Sequence, residues 1–142
     1  MAVSPLPQMQ QVIDYAVTEI PQEKILLGIP NYAYNWTLPF VKGESRAQPL
    51  YNVEAVRLAG EKHAEIQFDQ RAQTPYFTYF EYSPEQKKQL EHVVWFDDGR
   101  SMDAKLRLVR QNNLSGIGIW HIMRYFPQLW LVLNALYSIE KK

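Results

Sequence analysis

Cysteine is absent from all 142 residues, which excludes disulfides, thiolate metal sites and a cysteine nucleophile. The compartment stays open, because many secreted proteins also lack cysteine. Net charge is absent as well, with 15 Lys and Arg against 15 Asp and Glu. That balance gives no electrostatic case for nucleic acid or an anionic membrane surface as a partner. No run approaches the roughly 18 apolar residues of a membrane span, and Met1 to Pro7 lacks a basic start followed by an apolar stretch. His63, His92 and His121 lie far apart and show no metal-ligand spacing. Neither a metal nor a cofactor is expected. What is present is aromatic: four Trp, nine Tyr and six Phe. Such rings stack on the C–H faces of sugars as readily as they fill a core, so binding by shape and aromatic contact is expected, with core packing the default for most of them. The length suits one domain.

Along the chain, Ser4-Pro5-Leu6-Pro7 reads as a helix entry, with Ser4 as the capping hydroxyl. Leu6, Met9, Val12, Ile13, Ala16, Val17 and Ile20 then recur at helical spacing and predict a one-sided helix ending near Pro21. Ile25 to Pro30 is a continuous apolar run, which predicts a parallel strand buried on both faces. Thr37 to Gln48 reads as a surface loop. Asn52 is the expected cap of a helix over Val53 to Lys62. Glu65 to Asp69 and Tyr76 to Glu81 alternate with period two, the pattern of half-exposed antiparallel strands, and Ser83-Pro84-Glu85 makes the next turn. A strand over His92 to Phe96 runs into Asp97-Asp98-Gly99-Arg100, after which Ser101 is the expected cap of a helix that stops at Asn112-Asn113. Ser115 to Trp120 is a second buried-strand candidate. Pro127 opens a last helix in which Leu129, Val132, Leu133, Leu136 and Ile139 bury one face. The order is that of an α/β protein with a small α+β insert. Two buried parallel strands do not make a stable sheet, since each wants neighbours and helices over both faces; further strands are missing from the chain.

Four motifs in order carry a family resemblance. Lys24-Ile25-Leu26-Leu27-Gly28-Ile29-Pro30-Asn31-Tyr32-Ala33-Tyr34-Asn35-Trp36 resembles the seventh strand of glycoside hydrolase family 18 barrels, the chitinase-like enzymes. Val94-Trp95-Phe96-Asp97-Asp98-Gly99-Arg100-Ser101, followed by Lys105, resembles the return from that family's α+β insertion into helix seven. Leu114-Ser115-Gly116-Ile117-Gly118-Ile119-Trp120 resembles strand eight, and Phe126-Pro127-Gln128-Leu129-Trp130 resembles the start of the last helix in the spore-germination and cortex-lytic branch. The resemblance implies that residues 1–142 are the C-terminal part of a (β/α)8 TIM barrel, helix six to helix eight, with the insertion at 37–97 between strand seven and helix seven. Met1 then falls at a linker before helix six, which predicts an internal start or a designed truncation.

By the same resemblance the parent is a hydrolase of β-1,4-linked N-acetylglucosamine polymers, peptidoglycan or chitin, at an extracytoplasmic or spore-envelope site. Its catalysis rests on a fourth-strand Asp-x-x-Asp-x-Asp-x-Glu motif, whose glutamate protonates the glycosidic oxygen while the substrate's acetamido group attacks the anomeric carbon. Neither that motif nor the sixth-strand Met-x-Tyr-Asp is in this sequence, so no catalytic residue is expected here. The resemblance assigns Trp120 to the floor under the sugar and Tyr32 to the wall, with Tyr34 and Trp36 following Tyr32 at period two. Each has a rival reading as packing. Asp97 and Asp98 are expected to cap a helix or bind a turn rather than to act as an acid-base pair. Trp95 and Phe96 end an insert strand and are expected in the core of the insert, with the groove wall as the rival reading. Tyr76 to Tyr82 lacks the interleaved cations of a nucleic-acid platform. The expected partners are an N-acetylglucosamine-containing glycan and either a second copy, as a homo-oligomer, or the missing N-terminal barrel half. Alternatives are a non-catalytic carbohydrate-binding module and an interaction protein without a sugar role.

Overall fold

A computed structural model of the chain describes residues 1–121 and 123–138. Helix α1 (Leu6–Glu19) follows Pro5, which is its N-cap and offers no side-chain hydrogen bond. Ser4 is therefore not the cap. The prolines set the entry instead: their φ is fixed and their missing N–H falls where no helix has a partner for it. Only Met9 and Ile13 of α1 are buried, and Val12, on the apolar stripe, is 65% exposed.

After a short 3-10 turn (Gln22–Lys24), strand β1 (Leu26–Pro30) pairs in parallel with the last strand of the chain, β7 (Gly116–Trp120), from Leu26 opposite Gly116 to Pro30 opposite Trp120. Burial on both faces is not met in this two-stranded sheet. Leu26 is 62% exposed and no residue of β7 is fully buried, because among the described residues no further strand flanks either one. One face is covered by α1, by α3 (Gly99–Gln111) and by α4 (Pro127–Leu136), whose Met102, Leu106, Leu129 and Leu133 share a core with Leu27 and Ile29. Val132 and Leu136 pack against that core as the stripe predicts, and Ile139 lies outside the described residues.

A single residue, Asn31, carries the chain from this sheet into another. Strands β2 (Tyr32–Thr37), β3 (Gln48–Tyr51), β4 (Gln67–Asp69), β5 (Thr74–Ser83) and β6 (Lys88–Trp95) form an antiparallel sheet in the order β3-β2-β6-β5-β4. Helix α2 (Asn52–Glu61) lies on one face, and Ala33, Phe77, Val94 and Phe96 pack there with its Ala55 and Ala59. The sequence pattern joined β2 to β1, ended the loop at Gln48 and made β5 and β6 shorter. Pairing in register from Tyr76 opposite Trp95 to Ser83 opposite Lys88 extends both strands through residues with no apolar alternation.

Two further caps differ from expectation, each for its own reason. Asp98, extended just before α3, accepts from the backbone N–H groups of Arg100 (2.9 Å) and Ser101 (3.0 Å), while Ser101 Oγ accepts from Asp98 N at 2.9 Å. Asp98 holds the N-cap position and Ser101 falls three residues on, so Ser101 closes a capping box instead of opening the helix. Asn52 is the first residue of α2, not its cap, because its buried Oδ1 accepts from Asp97 N at 2.9 Å. The N–H of Tyr51 is taken up by Glu54 Oε2 at 2.9 Å.

Candidate functional site

The C-terminal ends of β1 and β7 lie side by side, with Pro30 opposite Trp120, and the chain turns there into β2. Asn31 fixes this corner. Its N–H donates to Trp120 O at 3.0 Å, and its side-chain Nδ2 donates to the carbonyls of His121 and Arg124, each at 3.0 Å. The segment that follows β7 is thereby held against the start of the antiparallel sheet.

Trp120 ends β7 with 70% of its surface exposed, so its ring is not core. A cleft of about 350 Å³ opens between it and the sheet, lined by Tyr32, Tyr34, Ala47, Pro49, Trp120, His121 and Arg124. Tyr32, Tyr34 and Trp36 share one face of β2 by strand alternation, each half-buried, and meet edge to face at 5.4 and 5.6 Å between ring centres. Burial pushes the Tyr32 phenol above its ordinary value, the Tyr34 hydroxyl adds to this, and the nearby Arg124 charge offsets part of it. It remains a neutral hydrogen-bonding group at physiological pH. Trp36 lies beyond the cleft: its Nε1 donates to Met1 O at 3.0 Å, and Phe40 stands edge-on to it at 5.3 Å. Of the four expected residues, then, the fold brings Trp120, Tyr32 and Tyr34 around one space and sets Trp36 beside it.

The acidic residues do other work. Asp97 and Lys105 form an ion pair with both side chains almost wholly buried, Nζ lying 2.7 and 2.8 Å from the two carboxylate oxygens. Asp98 caps α3 and pairs with Arg100 at 2.7 Å. Neither carboxylate faces the cleft as a proton donor. His92 stacks on Tyr79 at 4.7 Å, and burial holds its pKa below the ordinary histidine value. No cluster of metal-ligating side chains occurs among the described residues. The cleft offers flat aromatic faces, phenol hydroxyls and the Arg124 guanidinium.

Sequence reading did not single out Arg124, Tyr51 or Asn31. Arg124 lies over the rings of Tyr32 and Tyr51 at 5.3 and 4.8 Å. Its only sequence signal is an isolated cation soon after an exposed strand-end tryptophan.

Comparison with known proteins matches residues 3–124 to the model of the glycosyl hydrolases family 18. The chain is 40% identical over 141 residues to the cortical fragment-lytic enzyme of Bacillus subtilis, covering 99% of this chain and 32% of that protein. It is 37% identical to the protein of the same name in Bacillus anthracis, over 100% of this chain and 32% of that one. Among solved structures, the Bacillus megaterium spore cortex-lytic enzyme SleL superposes with a TM-score of 0.89 at 39% identity, covering 100% of this chain and 32% of that one. A Chromobacterium violaceum chitinase superposes at 0.80 with 26% identity, covering 94% and 39%. The chain spans about a third of the length of the cortex-lytic relatives it matches. With four motifs in order, a mixed α/β fold shared with these structures and a family match running through β7 to Arg124, the chain belongs to the glycosyl hydrolases family 18.

Proposed function

We propose that this chain carries part of the sugar-binding floor of a glycoside hydrolase acting on β-1,4-linked N-acetylglucosamine polymers, peptidoglycan or chitin, and that it contributes no proton donor of its own. The observation that supports this is Trp120: a largely exposed indole at the C-terminal end of a parallel strand, facing Tyr32 and Tyr34 across a cleft. Barrel enzymes build their sites at those strand ends. In this reading β1 and β7 are strands seven and eight of a (β/α)8 barrel, α1, α3 and α4 are helices six, seven and eight, and the antiparallel unit is the insertion between strand seven and helix seven. Trp120 stacks under the sugar, Tyr32 and Tyr34 form the wall, and Trp36 extends it. The missing Asp-x-x-Asp-x-Asp-x-Glu motif leaves the leaving group without an acid, a contribution of about 10²- to 10⁴-fold to rate.

Incubation with labelled chitooligosaccharides and peptidoglycan fragments tests both halves of the proposal. Saturable binding without turnover is the expected result. Release of N-acetylglucosamine by a contaminant-free sample overturns the absence of chemistry, and failure to bind any glycan overturns the floor.

A further inference from the structure

One side chain in the cleft is left without a role by stacking alone. The Arg124 guanidinium is fixed from several directions: Nη1 donates to Leu50 O at 3.0 Å, and the group lies over the Tyr32 and Tyr51 rings. Its backbone carbonyl is held by Asn31. Nε is buried and has no hydrogen-bond partner among the described residues. No carboxylate among them lies within ion-pair distance of the group. The aromatic and aliphatic lining, Tyr32, Tyr34, Ala47, Pro49 and Trp120, carries no charge. A cation is thus held, without a counter-charge among the described residues, in a cleft that an exposed tryptophan also lines.

We propose that Arg124 is a specificity-determining residue, which takes a carboxylate borne by the glycan next to the sugar stacked on Trp120. The inference rests on the glycan reading above and deepens it by naming the substrate class: an N-acetylhexosamine polymer carrying acidic substituents, in preference to a neutral one. The chemistry follows from the group. A guanidinium presents a planar fork of donors that matches a carboxylate, and a charge-assisted pair of this kind is shorter and stronger than a neutral hydrogen bond. Stacking against two rings holds the fork in place before a ligand arrives, so little rotamer freedom is lost on binding. A tether between the turn after β7 and Leu50 of β3 needs only one donor. It explains neither the absent counter-charge nor the placement in the lining of the cleft.

The test compares three probes of equal length on the full chain: chitotetraose, a peptide-free tetrasaccharide alternating N-acetylglucosamine with N-acetylmuramic acid whose lactyl carboxylate is free, and the same tetrasaccharide with that carboxylate converted to its methyl amide. The free acid is expected to bind about tenfold more tightly than chitotetraose or the amide, with a preference that shrinks as salt rises. Arg124→Gln abolishes the preference, bringing the free acid down to the affinity of its methyl amide. Arg124→Lys retains part of it, charge being kept and the fork lost. Urea midpoints of both variants separate loss of fold from loss of recognition. Equal binding of the three probes to the unaltered chain, or a preference that survives Arg124→Gln, overturns the role of Arg124 and leaves the glycan reading standing. If none of the probes binds, the glycan reading fails and this inference falls with it.

Discussion

The two sheets of this molecule obey opposite rules. The antiparallel sheet is well covered: five strands pair in the order β3-β2-β6-β5-β4, α2 covers one face, and Ala33, Phe77 and Val94 are completely buried. The parallel pair β1 and β7 is less covered by the same measures. Among the described residues each strand has one partner, and Leu26 of β1, Val12 of α1 and Leu131 of α4 are exposed. Antiparallel strands joined by hairpins need only local chain, whereas parallel strands depend on crossover units that bring neighbours and helices with them. A stretch of this length therefore holds two cores, one around a sheet of five strands and one around a pair whose outer positions stay exposed.

The largest test of that contrast is in the core of the five-stranded sheet and at its junction. Phe77→Ala is expected to cost about 3–5 kcal/mol in a urea titration, and Asp97→Ala a similar amount, because Lys105 would be left buried without its counter-charge. Leu26→Ala, at an exposed position of the parallel pair, should fall within about 0.5 kcal/mol. Equal losses at Phe77 and Leu26 would mean that the parallel pair is as well covered as the antiparallel sheet.

Assembly sharpens the comparison further. Burying apolar surface stabilises by about 25 cal/mol per Å², and an unpaired strand edge is a template for another chain. We expect light scattering at micromolar concentration to find a dimer or larger, with Leu26→Lys shifting it toward monomer. A monodisperse monomer with a cooperative melt would count against an open core.

Binding divides the two sheets next. Trp120, at the end of the parallel pair, should lose about tenfold in glycan affinity on change to alanine. Trp95, stacked on Tyr76 at 4.6 Å within the antiparallel sheet, should lose about twofold or less. Equal losses in a titration would move the floor away from β7.

The smallest effect is a pH slope confined to the antiparallel unit. Burial depresses the His92 pKa below its ordinary value of 6.5; Glu81 opposes this and Lys62 adds to it, with Tyr79 stacked on the ring. The unfolded chain then binds the proton more readily than the folded one. Stability is complete above the ordinary histidine value and declines as pH falls from there toward the depressed one. His92→Gln should flatten that part of a melting-temperature profile; an unchanged slope would assign it to other groups.

The sequence was legible where one residue type carried the signal alone. Ile25 to Pro30 and Ser115 to Trp120 announced strands because apolar residues ran without interruption, and Asn112-Asn113 announced a stop because Asn113 adopts a positive φ of 49° that asparagine tolerates. It was illegible where pairing overrode composition. The tight turns place Gln73 and Lys87 at positive φ, so glycine did not mark the hairpins. The loop reading ended at Gln48 and nothing marked Pro49-Leu50-Tyr51 as a strand, yet Gln48 to Tyr51 form an edge strand, where proline is tolerated. The change of sheet at Asn31 left no trace, since period two continues across it. For the candidate site, Trp120 and Tyr32 were recognisable from motif order. Arg124 was not, because its meaning comes from rings and a carbonyl contributed by β2 and β3.

At its entry and at its exit alike, the antiparallel unit is sewn to the rest of the chain by side chains rather than by loop length. At the entry Asn31 grips the carbonyls of His121 and Arg124; at the exit Asp97 accepts Lys105 from α3, and its own N–H is held by Asn52. Such seams make the unit a transplantable cassette. Exchange of the stretch between them for a longer or shorter wall is expected to need an asparagine with those carbonyls in reach at its start, an acceptor for the Asp97 N–H where Asn52 stands, and an aspartate facing a lysine one helix away at its end.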